Sequence, residues 1–159
     1  DSEEELSRAK EHQLERTITI FPWIAIIDKF QHWVYENPTH TIEERTEKWM
    51  EILQEFSTNA IDFTGLETYR AIGWQRQLHL FEVPFYYIEY GIAQLGAIGL
   101  WMQYKQNPQQ AIENYIKALS LGGTKTLPEL YAAAGLKFDL SPAHIKTLMD
   151  FVSTQMEEL

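Results

Sequence analysis

Residues 41–56 read TIEERTEKWMEILQEF, and they decide the class of fold. Thr41 with Glu44 three positions on is a capping box, in which each side chain satisfies the other residue's backbone N–H. Behind it Trp49, Ile52, Leu53 and Phe56 recur at three- and four-residue steps, the apolar stripe of a helix buried on one face. The same grammar repeats upstream. Ser2 ahead of Glu3, Glu4 and Glu5 predicts an N-cap with acids in the first turn, opening a helix to about Ile18. Pro22 is expected to break or kink it. From Trp23 the set Ile24, Ile27, Phe30 and Val34 predicts a second helix that ends before Pro38.

Downstream, loop residues around Asn59 to Gly65 precede a short helical stretch over Glu67 to Arg76. Pro84 reads as a first-turn residue of a helix to about Lys105. Asn107-Pro108 starts the next helix, which stops at Gly122-Gly123. Thr126 and Pro128 open a short helix closed by Gly135, and Ser141-Pro142 opens the last one. No segment reads as a strand. The expectation is an all-α multi-helix bundle of about seven or eight helices, a single domain over 1–159, with no linker long enough to divide it.

Composition narrows the function. The 159 residues are 45% apolar and 13% aromatic, enough for a real core. Thirteen Lys and Arg against 23 Asp and Glu give a formal charge of −10, which argues against nucleic acid or anionic lipid as a partner. No cysteine is present, so disulfides and thiolate metal sites are excluded and a reducing compartment is permitted; a cytoplasmic location is the expectation. No apolar run reaches the length of a membrane span. The opening DSEEELSRAK carries neither an initiator Met nor a signal-peptide pattern, so targeting is not legible at this end.

No complete catalytic apparatus is visible in the residue pattern. His12, His32, His40, His79 and His144 include no pair at the i, i+4 spacing that presents two imidazoles to zinc. His12-Gln13-Leu14-Glu15 reads as a solvated helix face, because a zinc site needs three or four ligands. The acid runs at 3–5 and 42–45 read as helix starts before carboxylate dyads. There is no Gly-rich phosphate loop, and no serine or threonine stands beside a suitable His and Asp.

One stretch stands apart: HLFEVPFYYIEYG, residues 79–91, sets a histidine ahead of three tyrosines. If Pro84 starts a helix, Tyr86 and Tyr90 are four apart and Tyr87 and Tyr90 three apart, so Tyr90 shares a face with one of the earlier pair. Converging phenols are neutral donors suited to a developing oxyanion, and His79 adds a third donor. The alternative is that the rings pack in a core with their hydroxyls bonded to backbone. Gly91, Gly96 and Gly99 read as places of close helix packing, since glycine otherwise weakens a helix by about 1 kcal/mol.

The stretch WQRQLHLFEVPFYYIEYGIAQLGA, residues 74–97, resembles the substrate-binding segment of oligoendopeptidase F and its thimet-oligopeptidase-like relatives. FPWIAIIDKFQHWVYENPTHTIEERTEKW, from residue 21, resembles the segment that follows the zinc site in that family, and SLGGTKTLPELYAAAGLKFDLS, from residue 120, resembles its C-terminal turn. The resemblance runs from about residue 7 to 157. It implies a zinc-dependent metallopeptidase of mostly helical fold that hydrolyses short peptides in a deep channel. The family's metal is held by a His-Glu-x-x-His helix and a later glutamate, and this sequence has no such motif. The resemblance therefore implies the C-terminal part of the peptidase domain, with zinc in the full-length enzyme and none bound by this chain, which is expected to be inactive alone. Its partners would be short peptides and the N-terminal part of the same protein. Carried over, His79 and Tyr90 are the catalytic residues and either Tyr86 or Tyr87 the second phenol that binds substrate. Arg76 and Gln77 line the same cleft.

Two rivals remain. NPQQAIENYIKALSLGG, residues 107–123, resembles one tetratricopeptide-type helix of a non-catalytic interaction module, but no second copy lies 34 residues away. A homo-oligomer formed through exposed apolar surface is the other expectation.

Overall fold

The structure is a computed structural model that describes residues 2–58 and 60–158, so Asn59, placed in a loop by the sequence, lies outside the described residues. Eight α-helices and no strand are found among the described residues, as the caps and periodicities predict. In chain order they are α1 (Glu3–Glu36), α2 (Ile42–Phe56), α3 (Glu67–Ala71), α4 (His79–Glu82), α5 (Ile88–Gln106), α6 (Pro108–Ser120), α7 (Leu127–Ala133) and α8 (Pro142–Glu157). Single 3-10 turns cover Gly73–Arg76 and Gly122–Thr124. No helix among the described residues is long and apolar enough to cross a membrane.

Most helix starts are where local chemistry puts them. Thr41 accepts from the Glu44 N–H at 3.1 Å while Glu44 accepts from the Thr41 N–H at 2.8 Å. Ser2 and Glu5 make the same reciprocal pair, and Asn107 and Ser141 cap α6 and α8 with proline at the first turn. Gly135, at φ +71°, ends α7 in the left-handed conformation that glycine adopts without a Cβ penalty.

Two proline readings need correction. Pro22 does not break the first helix: α1 runs through it as one element of 34 residues. Interior proline costs about 3 kcal/mol. Ile24, Ile26, Ile27 and Phe30 directly beyond it are all buried, and each such side chain contributes about 1.5–3 kcal/mol when removed from water, which outweighs the lost bond. Pro84 does not open the long helix either. It lies in a turn after the short α4, and α5 begins at Ile88, because Phe85 at φ +58° is in the left-handed region and cannot continue a right-handed helix.

The chain gathers into two compact units, residues 18–91 and residues 2–17 with 92–158. In the first, Ile26, Ile27, Phe30, Trp49 and Ile52 form the core, with Trp74, Leu80 and Tyr87 among the side chains packed against it. Trp49 is its centre, meeting Phe30 edge-on at 5.0 Å and Trp23 at 6.1 Å, and its indole N–H donates to the Arg70 carbonyl at 2.8 Å. In the second unit Ile98, Ala111, Leu148 and Val152 are buried. A Cβ at Gly96 would stand 2.6 Å from the Tyr131 hydroxyl, so here glycine permits the close approach that its position in the sequence suggests.

Four carboxyls, three of them exposed and Asp139 half-buried, have their pKa values lowered by local bonds. Asp139 is held well below the ordinary range by Lys137 and the Ser141 N–H, Glu129 by Thr126, Asp62 by Thr64, and Glu67 by its own and the Gly65 N–H. A carboxyl depressed in the folded state contributes stability above its unfolded pKa, about 4, and loses it as pH falls through the folded value. Thermal melts are expected to show the midpoint flat near neutrality and falling below about pH 4, with Asp139→Asn reducing that slope.

Candidate functional site

The histidine and tyrosines singled out in the sequence come together within the 18–91 unit, by a different route from helical periodicity. His79 is the first residue of α4, Tyr86 and Tyr87 stand in the turn after it, and Tyr90 lies in the first turn of α5. The Phe85 reversal folds the turn back so that all three phenol rings meet the imidazole. Ring centroids lie 5.0 Å from His79 for Tyr87, 5.7 Å for Tyr90 and 6.1 Å for Tyr86. Tyr90 also meets Tyr87 at 5.1 Å and Tyr86 at 5.7 Å, both edge-on.

Polar contacts give the cluster an order. His79 Nε2 is 3.1 Å from the Tyr90 hydroxyl, and His79 Nδ1 is 2.6 Å from the Gln77 amide nitrogen. The Trp23 indole N–H, from α1, faces Gln77 Oε1 at 3.4 Å. Burial raises the Tyr87 phenol's pKa, opposed by a bond from Trp23 and reinforced by Tyr90. Tyr86 and Tyr90 keep 47% and 42% of their surface exposed, so their hydroxyls are available to a ligand where Tyr87 is half-buried. Arg76 is exposed at the end of its 3-10 turn, and among the described residues no hydrogen bond or ion pair joins it to the cluster.

What holds the turn was not legible in the tyrosine stretch itself. Gln31 of α1, 3% exposed, accepts from the Phe85 N–H at 2.8 Å and donates to the Leu80 carbonyl at 3.4 Å. One carboxamide thus braces both ends of the segment that carries the turn. The available signal was its position: Gln31 falls on the stripe of Ile24, Ile27 and Val34, where a polar side chain needs partners once buried. Gln31→Leu is expected to leave the Phe85 N–H unpaired and to cost about 1–3 kcal/mol. Urea unfolding would read the loss, and hydrogen exchange would show the Phe85 amide exposed before the rest of the unit.

The cluster holds donors, with no nucleophile and no carboxylate at hydrogen-bond distance of its polar atoms among the described residues. Nor do any three His, Cys, Asp or Glu among them converge as a metal ligand set. Its chemistry is neutral hydrogen-bond donation from exposed phenols backed by an imidazole, the arrangement that stabilises a negative oxygen as it forms.

The sequence model of Peptidase family M3 matches residues 1–150. The chain belongs to peptidase family M3. An oligoendopeptidase F homologue of Borreliella burgdorferi is 27% identical over 118 residues, 74% of this chain and 19% of that protein. Among solved structures, a 3.1 Å X-ray structure named as oligoendopeptidase F superposes with a TM-score of 0.83 at 28% identity, covering 98% of this chain and 28% of the other. PZ peptidase A, solved with an inhibitor, gives a TM-score of 0.80 at 29% identity, over 94% of this chain and 27% of its own. The resemblance to oligoendopeptidase F and the all-α architecture are thereby borne out. The chain spans about a fifth of the curated relative's length and a little over a quarter of each solved chain.

Proposed function

We propose that this M3 chain forms the substrate- and transition-state-binding side of a zinc-dependent oligoendopeptidase that hydrolyses short peptides, as the C-terminal part of its peptidase domain. The observation that carries the reading is the His79–Tyr90 bond inside a cluster of three phenols, two of them exposed. Tyr90 is assigned as the donor to the carbonyl oxygen of the bond being cleaved. The second phenol is assigned to Tyr86, because Tyr87 is half-buried and bonded to Trp23. Arg76, exposed and away from the cluster, is retained only as a contact for an extended peptide.

The described residues do not supply a zinc site, so the metal of this proposal belongs to residues outside this sequence. This chain's part is to bind the peptide and to donate hydrogen bonds to the oxygen that gains charge. We place the complete enzyme in the cytoplasm, with short peptides as substrates. The test is hydrolysis of a fluorogenic peptide, with and without added zinc, by this chain and by a version extended upstream. Cleavage by the extended protein alone is the expected result. An extended protein that binds no zinc and cleaves nothing would overturn the reading.

A second reading has its own observation. Ile112, Tyr115, Ile116 and Leu119, at i, i+3, i+4 and i+7 of α6, are each about half exposed. Such a stripe suits helix-on-helix association, and self-association of the 159-residue chain is expected in sedimentation. Ile116→Glu should return it to monomer, and a strictly monomeric wild type would remove this reading.

A further inference from the structure

The proton direction along Trp23, Gln77, His79 and Tyr90 follows from what each atom can donate or accept. An indole N–H only donates, so the Gln77 atom facing it at 3.4 Å is the carbonyl oxygen. The same N–H also serves the Tyr87 oxygen, which leaves its character as a donor unchanged. The Gln77 amide nitrogen, a donor, then faces His79 Nδ1 at 2.6 Å, and Nδ1 must be the nitrogen with the lone pair. A neutral imidazole so constrained carries its proton on Nε2 and donates it to the Tyr90 oxygen at 3.1 Å. Having accepted that bond, the Tyr90 hydroxyl keeps its own proton free to point away from His79. The opposite tautomer would need the amide turned over, setting its NH2 group against the Trp23 N–H.

We propose that Gln77, oriented by Trp23, is a positioning residue that fixes the His79 tautomer, so that Tyr90 offers its proton to the peptide and His79 acts through Tyr90. This rests on the cluster's being an oxyanion-binding site, and it adds a direction: the two donors are in series, with Tyr90 outermost. Gln77→Glu is the informative change. A carboxylate accepts from Nδ1–H, which strips Nε2 of its proton and turns the Tyr90 O–H inward to His79.

The test is a long-range 1H–15N correlation on the 15N-labelled 159-residue chain at a pH where the imidazole is neutral, with the His79 signals identified by their loss in His79→Asn. Wild type is expected to show Nδ1 as the pyridine-type nitrogen and Nε2 as the pyrrole-type one. Gln77→Leu should mix the two forms, and Gln77→Glu should reverse them. A protonated Nδ1 in wild type, which needs no variant to observe, or an unchanged pattern in a folded Gln77→Glu, overturns the assignment. In the upstream-extended protein Gln77→Glu is expected to lower kcat by about 10²-fold, the scale of one misdirected oxyanion donor, with KM nearly unchanged. If the nitrogen pattern is as expected but neither Gln77→Glu nor Tyr90→Phe slows hydrolysis, the tautomer assignment stands, while the role at the peptide and the oxyanion-site reading under it are overturned.

Discussion

Tyr90→Phe is expected to slow peptide hydrolysis by the upstream-extended protein by about 10²–10³-fold in kcat, equivalent to about 2.7–4 kcal/mol of barrier. The change removes one oxygen and keeps the ring. Tyr90 meets three aromatic neighbours edge-on, and the phenylalanine ring can keep all three contacts, so folding should be nearly unaffected. What is lost is the outward donor and the acceptor of the His79 bond. An interaction realised only as the carbonyl oxygen gains charge appears in kcat rather than KM. Tyr86→Phe should show a smaller effect of the same kind, and Tyr87→Phe mainly a change in stability, since burial and its bond to Trp23 dominate that phenol. Steady-state kinetics on the three variants separates these roles.

The largest effect on stability is expected at Trp49. Trp49→Ala should destabilise the chain by about 3–5 kcal/mol, the range for a large buried aromatic truncated to a methyl group. The side chain is fully buried, touches the rings of Trp23 and Phe30, and satisfies the Arg70 carbonyl. It also fills the space over Gly73, where a Cβ would lie 3.6 Å from the indole, so its loss would loosen the turn that leads to Gln77 and His79. Since whole-domain stability is only about 5–15 kcal/mol, this one change would consume a large share of it. Urea denaturation should show a lower midpoint with an unchanged slope. Trp49→Phe, which keeps a ring but drops the bond to Arg70, should cost about 1–2 kcal/mol, less than the full truncation.

Local signals and tertiary ones divided cleanly. The Thr41–Glu44 box, the Asn107-Pro108 and Ser141-Pro142 starts and the Gly135 stop were legible because each is settled by neighbours within a few residues. Pro22 and Pro84 were misread for the opposite reason: burial of the residues after Pro22 overrides its cost, and a left-handed Phe85, braced from α1, displaces the start of α5. At the site, residue types pointed to side chains that the fold brings together. Helical spacing did not describe how they meet, because Tyr86 and Tyr87 precede the helix. Gln77, grouped with Arg76 in the sequence reading, contacts His79 directly, whereas Arg76 stands apart. Gln31 and Trp23, more than 50 positions away in sequence, could be joined to the cluster only by the fold.

The most direct test of the central claim, that Tyr90 serves the charged tetrahedral state of the reacting carbonyl, is to compare two affinities in the upstream-extended protein. One ligand is a phosphinic peptide, whose tetrahedral phosphorus carries a charged oxygen; the other is the matching uncleaved peptide. The expected result is that Tyr90→Phe weakens the phosphinic peptide about 10²-fold and the plain peptide hardly at all. Equal weakening of both, or of neither, would contradict the assignment of Tyr90 to the transition state.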